Sequence, residues 1–231
     1  MHPFIRSVAF FPFVLVFVFK VEAQDWPGLG RYREANQKLK EKGGKKIKAV
    51  FIGDSITDFW LGDSTHFFEK NGYIDRGISA QTSPKMLIRF RSDVIDLNPE
   101  VVVILCGIND IAGNSGPSSL EMIEDNISGM AQLARANHIK VILCSLLPAN
   151  KLPWKPEIAP ADLVIALNQW IKAYSRDNHY GWCDYYSDMV DDNKGLRKAY
   201  SEDGVHPNQA GYLVMDRDVQ KAIQAMLRKW I

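Results

Sequence analysis

Three short segments of this sequence carry side chains able to attack a carbon, move a proton and hold an anion. In Gly53-Asp54-Ser55-Ile56-Thr57 a serine follows an apolar run. That placing sets its hydroxyl where a strand turns into a helix, beside free backbone N–H groups that can stabilise an oxyanion. Serine is also an ordinary helix cap. The segment is not a G-x-S-x-G elbow, because Thr57 stands where the second glycine would be. In Gly107-Ile108-Asn109-Asp110 the glycine lets backbone approach a ligand and Asn109 offers an amide donor, although all three residue types are common in turns. In Asp203-Gly204-Val205-His206-Pro207, His206 can serve as a general base and Asp203 can hold its imidazole in one tautomer. A loop histidine beside a capping aspartate is the plainer alternative.

The elements around these segments must bring them together. Ile47–Ile52, Tyr73–Ile78, Val101–Cys106, Lys140–Cys144 and Trp182–Tyr186 are short apolar runs that read as buried strands. Apolar spacing of three and four residues predicts helices over Arg31–Lys42, Ser118–Ala136, Ala161–Arg176 and Asn208–Lys229. Ser118 and Glu121 suit a capping box, and Pro207 suits the first turn of the last helix. Strands alternating with such helices imply a parallel sheet covered on both faces, with its site beyond the carboxyl ends of the strands. The three chemical segments adjoin those ends.

The chain has 231 residues, 46% apolar and 24% charged, with a formal net charge of +1. This is the composition of a globular domain and excludes a disordered tail or a collagen-like rod. Near-neutral charge argues against nucleic acid as a partner. Three cysteines are too few for a disulfide scaffold. Val8–Phe19 is apolar throughout apart from Pro12, and Val21-Glu22-Ala23 offers small residues where a signal peptidase reads. Residues 1–23 therefore read as a secretory signal, and 24–231 as one exported domain, secreted or periplasmic. The alternative, a membrane anchor, needs a run of about 20 apolar residues.

Taken together and in order, GDSIT, GIND and DGVHP resemble the signature blocks of the SGNH (GDSL) hydrolase family, a set of serine esterases and lipases. The resemblance runs from about Lys45 to the end of the chain. It implies a flavodoxin-like three-layer α/β/α sandwich with a five-stranded parallel sheet. It also implies Ser55 as nucleophile, His206 as base and Asp203 as the residue orienting it. The oxyanion hole would be the backbone N–H groups of Ser55 and Gly77, from the segment Asp75-Arg76-Gly77-Ile78-Ser79, with the Asn109 amide. No metal or cofactor is required. GDSIT followed by Asp58 and Trp60 is most similar to the acetylhydrolase branch, which makes small acyl esters, acetylated carbohydrates first, the expected substrates. A lysophospholipase or thioesterase of the same family, and a non-catalytic glycan-binding module, are the alternatives.

Other features are less directive. Cys106 and Cys144 end neighbouring strands, where buried free thiols are expected over a bridge. Asn126-Ile127-Ser128 is a glycosylation sequon on a helix. The proline-rich stretch Leu147–Pro160, with Trp154, follows a strand end and can wall a pocket. Trp60 and Trp154 are each open to a packing role or a substrate contact.

Overall fold

In the computed structural model, which describes residues 24–43, 46–62 and 66–228, five apolar runs pair as parallel strands. They are β1 (Ala49–Gly53), β2 (Ile74–Gly77), β3 (Val101–Leu105), β4 (Lys140–Cys144) and β5 (Gly181–Cys183), in the order β2-β1-β3-β4-β5. Every residue of β1 and β3 is buried, as both sheet faces are covered. Gly53 registers with Gly77 on one side and Leu105 on the other, so the ends of the three strands lie level. The chain moves from β1 out to β2 and then returns to add β3 on the opposite edge of β1. That reversal opens a crevice at the carboxyl ends of β1 and β3. The expected signal segment, residues 1–23, lies outside the described residues.

The helices are α1 (Arg33–Lys42), α2 (Ser55–Asp58), α3 (Phe67–Asn71), α4 (Ser83–Asp93), α5 (Ile108–Ile111), α6 (Leu120–Ala136), α7 (Ala161–Asp177), α8 (Tyr185–Met189) and α9 (Gln209–Arg228). Helices α1, α4, α6 and α7 lie on one face of the sheet and α3, α8 and α9 on the other. On the second face Phe51 of β1 meets Trp60, Phe67, Phe68 and Tyr73, and Trp60 stacks on Tyr212 of α9. Trp60 is thus a core residue, fully packed, with its indole N–H on Asp216 at 2.8 Å. Among the described residues no helix is long and apolar enough to cross a membrane.

Several sequence expectations need correction. The run Trp182–Tyr186 is strand only to Cys183, because Asp184 turns the chain into α8 by accepting from the Ser187 N–H at 3.1 Å. Ser119 rather than Ser118 caps α6, its hydroxyl accepting from the Met122 N–H. Pro207 precedes the last helix rather than opening it, and Asn208 accepts from the Gly211 N–H. The apolar spacing does not predict helix α4, because its core-facing side mixes Met86 and Phe90 with Ser83, Arg89 and Asp93.

Arg89 is 0% exposed, and each of its three guanidinium nitrogens has a partner. Its guanidinium donates to Gln81 Oε1 at 2.6 Å, to Asp93 Oδ2 at 3.0 Å and to the Gly53 carbonyl at 3.0 Å. A buried charge is tolerable only with such complete hydrogen bonding. The consequence is positional: Arg89 ties the end of β1, one residue before Asp54, to the loop that follows β2. Cys106, Cys144 and Cys183 are buried free thiols.

Candidate active site

Asp54 opens α2 as its cap, with Oδ1 accepting from the Ile56 N–H at 3.0 Å. Ser55 therefore begins the helix, and its N–H has no intrahelical acceptor. The side chain is nearly buried at 8% exposure. Its Oγ lies 2.9 Å from Nε2 of His206, which arrives from the turn ahead of α9. On the other side of that ring, Nδ1 lies 2.6 Å from Asp203 Oδ2. The turn that makes this possible is closed by Asp203 itself. Its Oδ1 accepts from the N–H groups of Val205 and His206, both at 2.8 Å, while Gly204 takes a φ of +86°. Ser201 Oγ completes the turn by donating to the His206 carbonyl at 2.7 Å.

The electrostatics separate the carboxylates into two kinds. Partial burial alone would raise Asp203, but hydrogen bonds from the His206 ring and from two backbone N–H groups outweigh it and hold the carboxyl at about 2. Asp203 is ionised and faces the imidazole. Asp54 is the reverse: burial pushes it up to about 7 against the pull of the Ile56 N–H and His206, and its Oδ2 has no hydrogen-bond partner among the described residues. Asp54 borders an apolar cavity of about 10 Å³ formed with Ile56, Cys106, Leu146, Ala149 and Val205. That is room for a single water.

Asn109 sits at the start of α5, beyond β3, fully buried. Its Nδ2 donates one hydrogen to the Gln81 carbonyl at 3.2 Å, and its Oδ1 accepts from Asn114 Nδ2 at 2.7 Å. Asp110 beside it caps α4, accepting from the Ser83 N–H at 2.9 and 3.0 Å and from Ser83 Oγ at 2.6 Å. The half-buried amide of Asn126 is taken up by the same Ser83 hydroxyl at 3.0 Å, so the sequon asparagine is a packing group here.

Gly77 does not present a free donor. Its N–H is spent on Asp75 Oδ1 at 2.7 Å, and its carbonyl accepts from the Tyr32 hydroxyl. It must be glycine for another reason: a Cβ there would strike the backbone nitrogen of Asp58. Ala80, on this loop, has an N–H with no protein acceptor among the described residues. Ala80 is the third residue of a tight turn in which the Gln81 N–H bonds the Ile78 carbonyl at 3.3 Å, and it takes a φ of +62°. That turn is pinned to the serine from both ends. The Ile78 N–H donates to the Gly53 carbonyl, and Ser79 donates twice to Asp58 at the end of α2. A non-glycine residue in the left-handed region is a strain the surrounding contacts must hold. A positive φ is invisible in the sequence when alanine occupies the position.

Two exposed aromatic side chains stand over the histidine. The Phe59 ring is 5.4 Å and the Trp154 ring 6.1 Å from the His206 ring, centroid to centroid. The proline-rich stretch therefore reaches the site through Trp154.

A parallel sheet with a linked serine, histidine and aspartate at its carboxyl rim is the arrangement of the acylhydrolase class. The chain belongs to the GDSL-like lipase/acylhydrolase family, whose family model matches residues 51–214. It is similar to a Bacteroides fragilis protein assigned as an acylhydrolase, with 45% identity and a TM-score of 0.85 over 89% of this chain and 100% of that one. A GDSL-like lipase from Bacteroides thetaiotaomicron is 44% identical, with a TM-score of 0.83 over 86% of this chain and 98% of that one. An acetylxylan esterase from Geobacillus stearothermophilus shares the fold at 21% identity and a TM-score of 0.62, over 78% of this chain and 95% of that one. No curated protein matches the chain.

Proposed function

We propose that this protein is an exported serine esterase that removes small acyl groups, acetyl first, from carbohydrate esters. The observation that carries the reading is the unbroken line Ser55 Oγ, His206, Asp203, at 2.9 and 2.6 Å. A serine hydroxyl is a weak nucleophile at neutral pH and needs an adjacent base. His206 takes the Ser55 proton on Nε2 as Oγ attacks the ester carbonyl, while ionised Asp203 stabilises the imidazolium that forms. The carbonyl oxygen becomes an oxyanion held by the N–H groups of Ser55 and Ala80 and by the second Nδ2 hydrogen of Asn109. His206 returns its proton to the leaving alcohol. It then deprotonates a water that attacks the acyl-serine and releases the acid.

The family membership supports the hydrolytic reading, and the acetylxylan esterase at the level of fold supports acetyl on a glycan. Export rests on residues 1–23, and N-terminal sequencing of the mature protein should begin at Gln24. The direct test is hydrolysis of p-nitrophenyl acetate, butyrate and octanoate beside the S55A variant. Turnover that falls with chain length and vanishes in S55A is expected. Equal turnover by S55A would end the serine assignment, and a preference for octanoate would favour a lipase or thioesterase.

A further inference from the structure

A chain of hydrogen bonds connects the mouth of the site to its anion-holding amide. The Trp154 indole N–H donates to Asn114 Oδ1 at 3.2 Å. Asn114 Nδ2 donates to Asn109 Oδ1 at 2.7 Å, and Asn109 Nδ2 to the Gln81 carbonyl at 3.2 Å. The backbone adds a fourth bond, from the Asn114 N–H to the Asn109 carbonyl at 3.0 Å. The polarity of this chain is forced. An indole N–H can only donate and a backbone carbonyl can only accept, so neither carboxamide between them can flip without losing bonds at both ends. Bonds aligned head to tail also strengthen one another in a buried setting. The result is that Asn109 keeps a hydrogen, not a lone pair, for the reacting oxygen.

The first member of the chain is a surface group. Trp154 is 38% exposed and Phe59 is 51% exposed, although both rings pack near His206. In the reaction proposed above, His206 hands its proton to the leaving oxygen. The alcohol bearing that oxygen must therefore lie against whatever surrounds the His206 ring. Here those are the exposed Phe59 and Trp154 rings, tilted 46° and 35° to the imidazole, aromatic surface of the kind that takes the C–H face of a pyranose. Among the described residues no hydrogen bond joins Asn114 to Ser55, His206 or Asp203.

We propose that Trp154 and Phe59 form the leaving-group subsite for a sugar ring, and that Asn114 is the positioning residue linking this subsite to the oxyanion amide of Asn109. The inference rests on the esterase reading and deepens it by naming where the sugar sits. A ring seated on Trp154 holds the indole still, the indole holds Asn114, and Asn114 holds the amide. Binding of the remote part of the substrate is thereby converted into order at the reacting carbon.

The test compares wild type with N114A, N114D, W154F, W154A and the double variant W154F/N114A on two substrates, p-nitrophenyl acetate and a peracetylated methyl xylopyranoside. Circular dichroism and melting curves identify any variant that fails to fold. N114A should lower kcat on both substrates on the order of tenfold or more while leaving KM within twofold, because the amide is needed only in the transition state. N114D keeps the size and the acceptor for Trp154 but loses the donor to Asn109, and should match N114A. W154F keeps the ring and loses the N–H, so kcat should fall on both substrates while KM for the sugar ester holds. W154A should also raise that KM, by about three- to tenfold, the worth of one aromatic contact. The double variant should be no worse than N114A. Serine-dependent turnover with kcat in N114A and N114D within twofold of wild type would overturn this proposal alone, as would an unchanged sugar-ester KM in W154A. Absence of serine-dependent turnover on both esters would take down the esterase reading and this one together, and turnover of p-nitrophenyl acetate alone would overturn only the sugar subsite.

Discussion

Asp203 Oδ2 lies 2.6 Å from Nδ1 of His206, on the side of the ring away from Ser55. The same carboxylate closes the turn that delivers the histidine, through its Oδ1. One residue thus sets both the tautomer and the position of the base. An Asp203→Asn substitution keeps a hydrogen-bonding group but can turn a donor toward Nδ1, which favours the wrong tautomer. We expect kcat to fall by about 10⁴, measured on p-nitrophenyl acetate. A loss below tenfold would assign the orienting role elsewhere.

The donors around the reacting oxygen are separable. Asn109→Ala should cost on the order of 10² to 10³ in kcat with little change in KM. Ala80→Gly should retain activity, since the N–H remains, and should gain about 0.5–1 kcal/mol as the left-handed strain is relieved. Gly77→Ala should instead cost about 1–3 kcal/mol of stability, because the added carbon meets the Asp58 backbone. Urea unfolding of the three variants beside their kinetics distinguishes these roles. Lost activity in a fully stable Gly77→Ala would return the donor to Gly77.

The pH dependence of stability has a defined sign. Burial raises Asp54 and Asp75 each to about 7, from an ordinary 3.8. Between those values each is protonated when folded and ionised when unfolded. The contribution of each is full below pH 3.8 and is lost as pH rises, at about 1.4 kcal/mol per pH unit, until the folded carboxyl ionises near 7. Asp54→Asn, which stays neutral throughout, should therefore show a shallower fall in unfolding free energy between pH 5 and 6.5. Parallel curves for the variant and wild type would mean that Asp54 ionises normally. Asp203, held at about 2, acts in the opposite sense: its contribution is present above 3.8 and is lost only as pH drops through 2.

Arg89→Met should lower stability by about 3–5 kcal/mol, since it leaves Asp93 buried without its charge partner. It also frees the Gly53 carbonyl and Gln81 from their common donor. Activity per folded molecule should fall with it, as the turn bearing Asn109's acceptor loosens. Equilibrium unfolding in urea gives the first quantity and active-site titration the second. A cost below 1 kcal/mol would show that water replaces the guanidinium.

Much of the architecture was legible in order along the chain, for reasons that are local. The runs around Phe51, Val103 and Ile142 are continuous and apolar because both sheet faces are covered, and the spacing in α6, α7 and α9 is that of one buried helical face. The three chemical segments stood out because each ends or follows such an element. Helix α4 is not legible because its buried face carries Ser83, Arg89 and Asp93 beside Met86 and Phe90, and a charge looks solvated until the groups that neutralise it are in place. The run Trp182–Tyr186 overstates β5, because it is apolar on either side of the helix cap at Asp184.

The site divides in the same way. The amino-acid sequence by itself determined which residues can attack, accept a proton and orient the base, since Ser55, His206 and Asp203 carry those abilities in their side chains. Only the tertiary structure decided which backbone N–H is free for an anion, because that depends on what else accepts from it: Asp75 claims Gly77, and among the described residues nothing claims Ala80. It likewise decided that Trp60 is core while Trp154 overlooks His206, and that Asn114 reaches Asn109. Hydrogen-bond partners are assigned by distance in space, and the residues that compete for them lie on different loops of the rim.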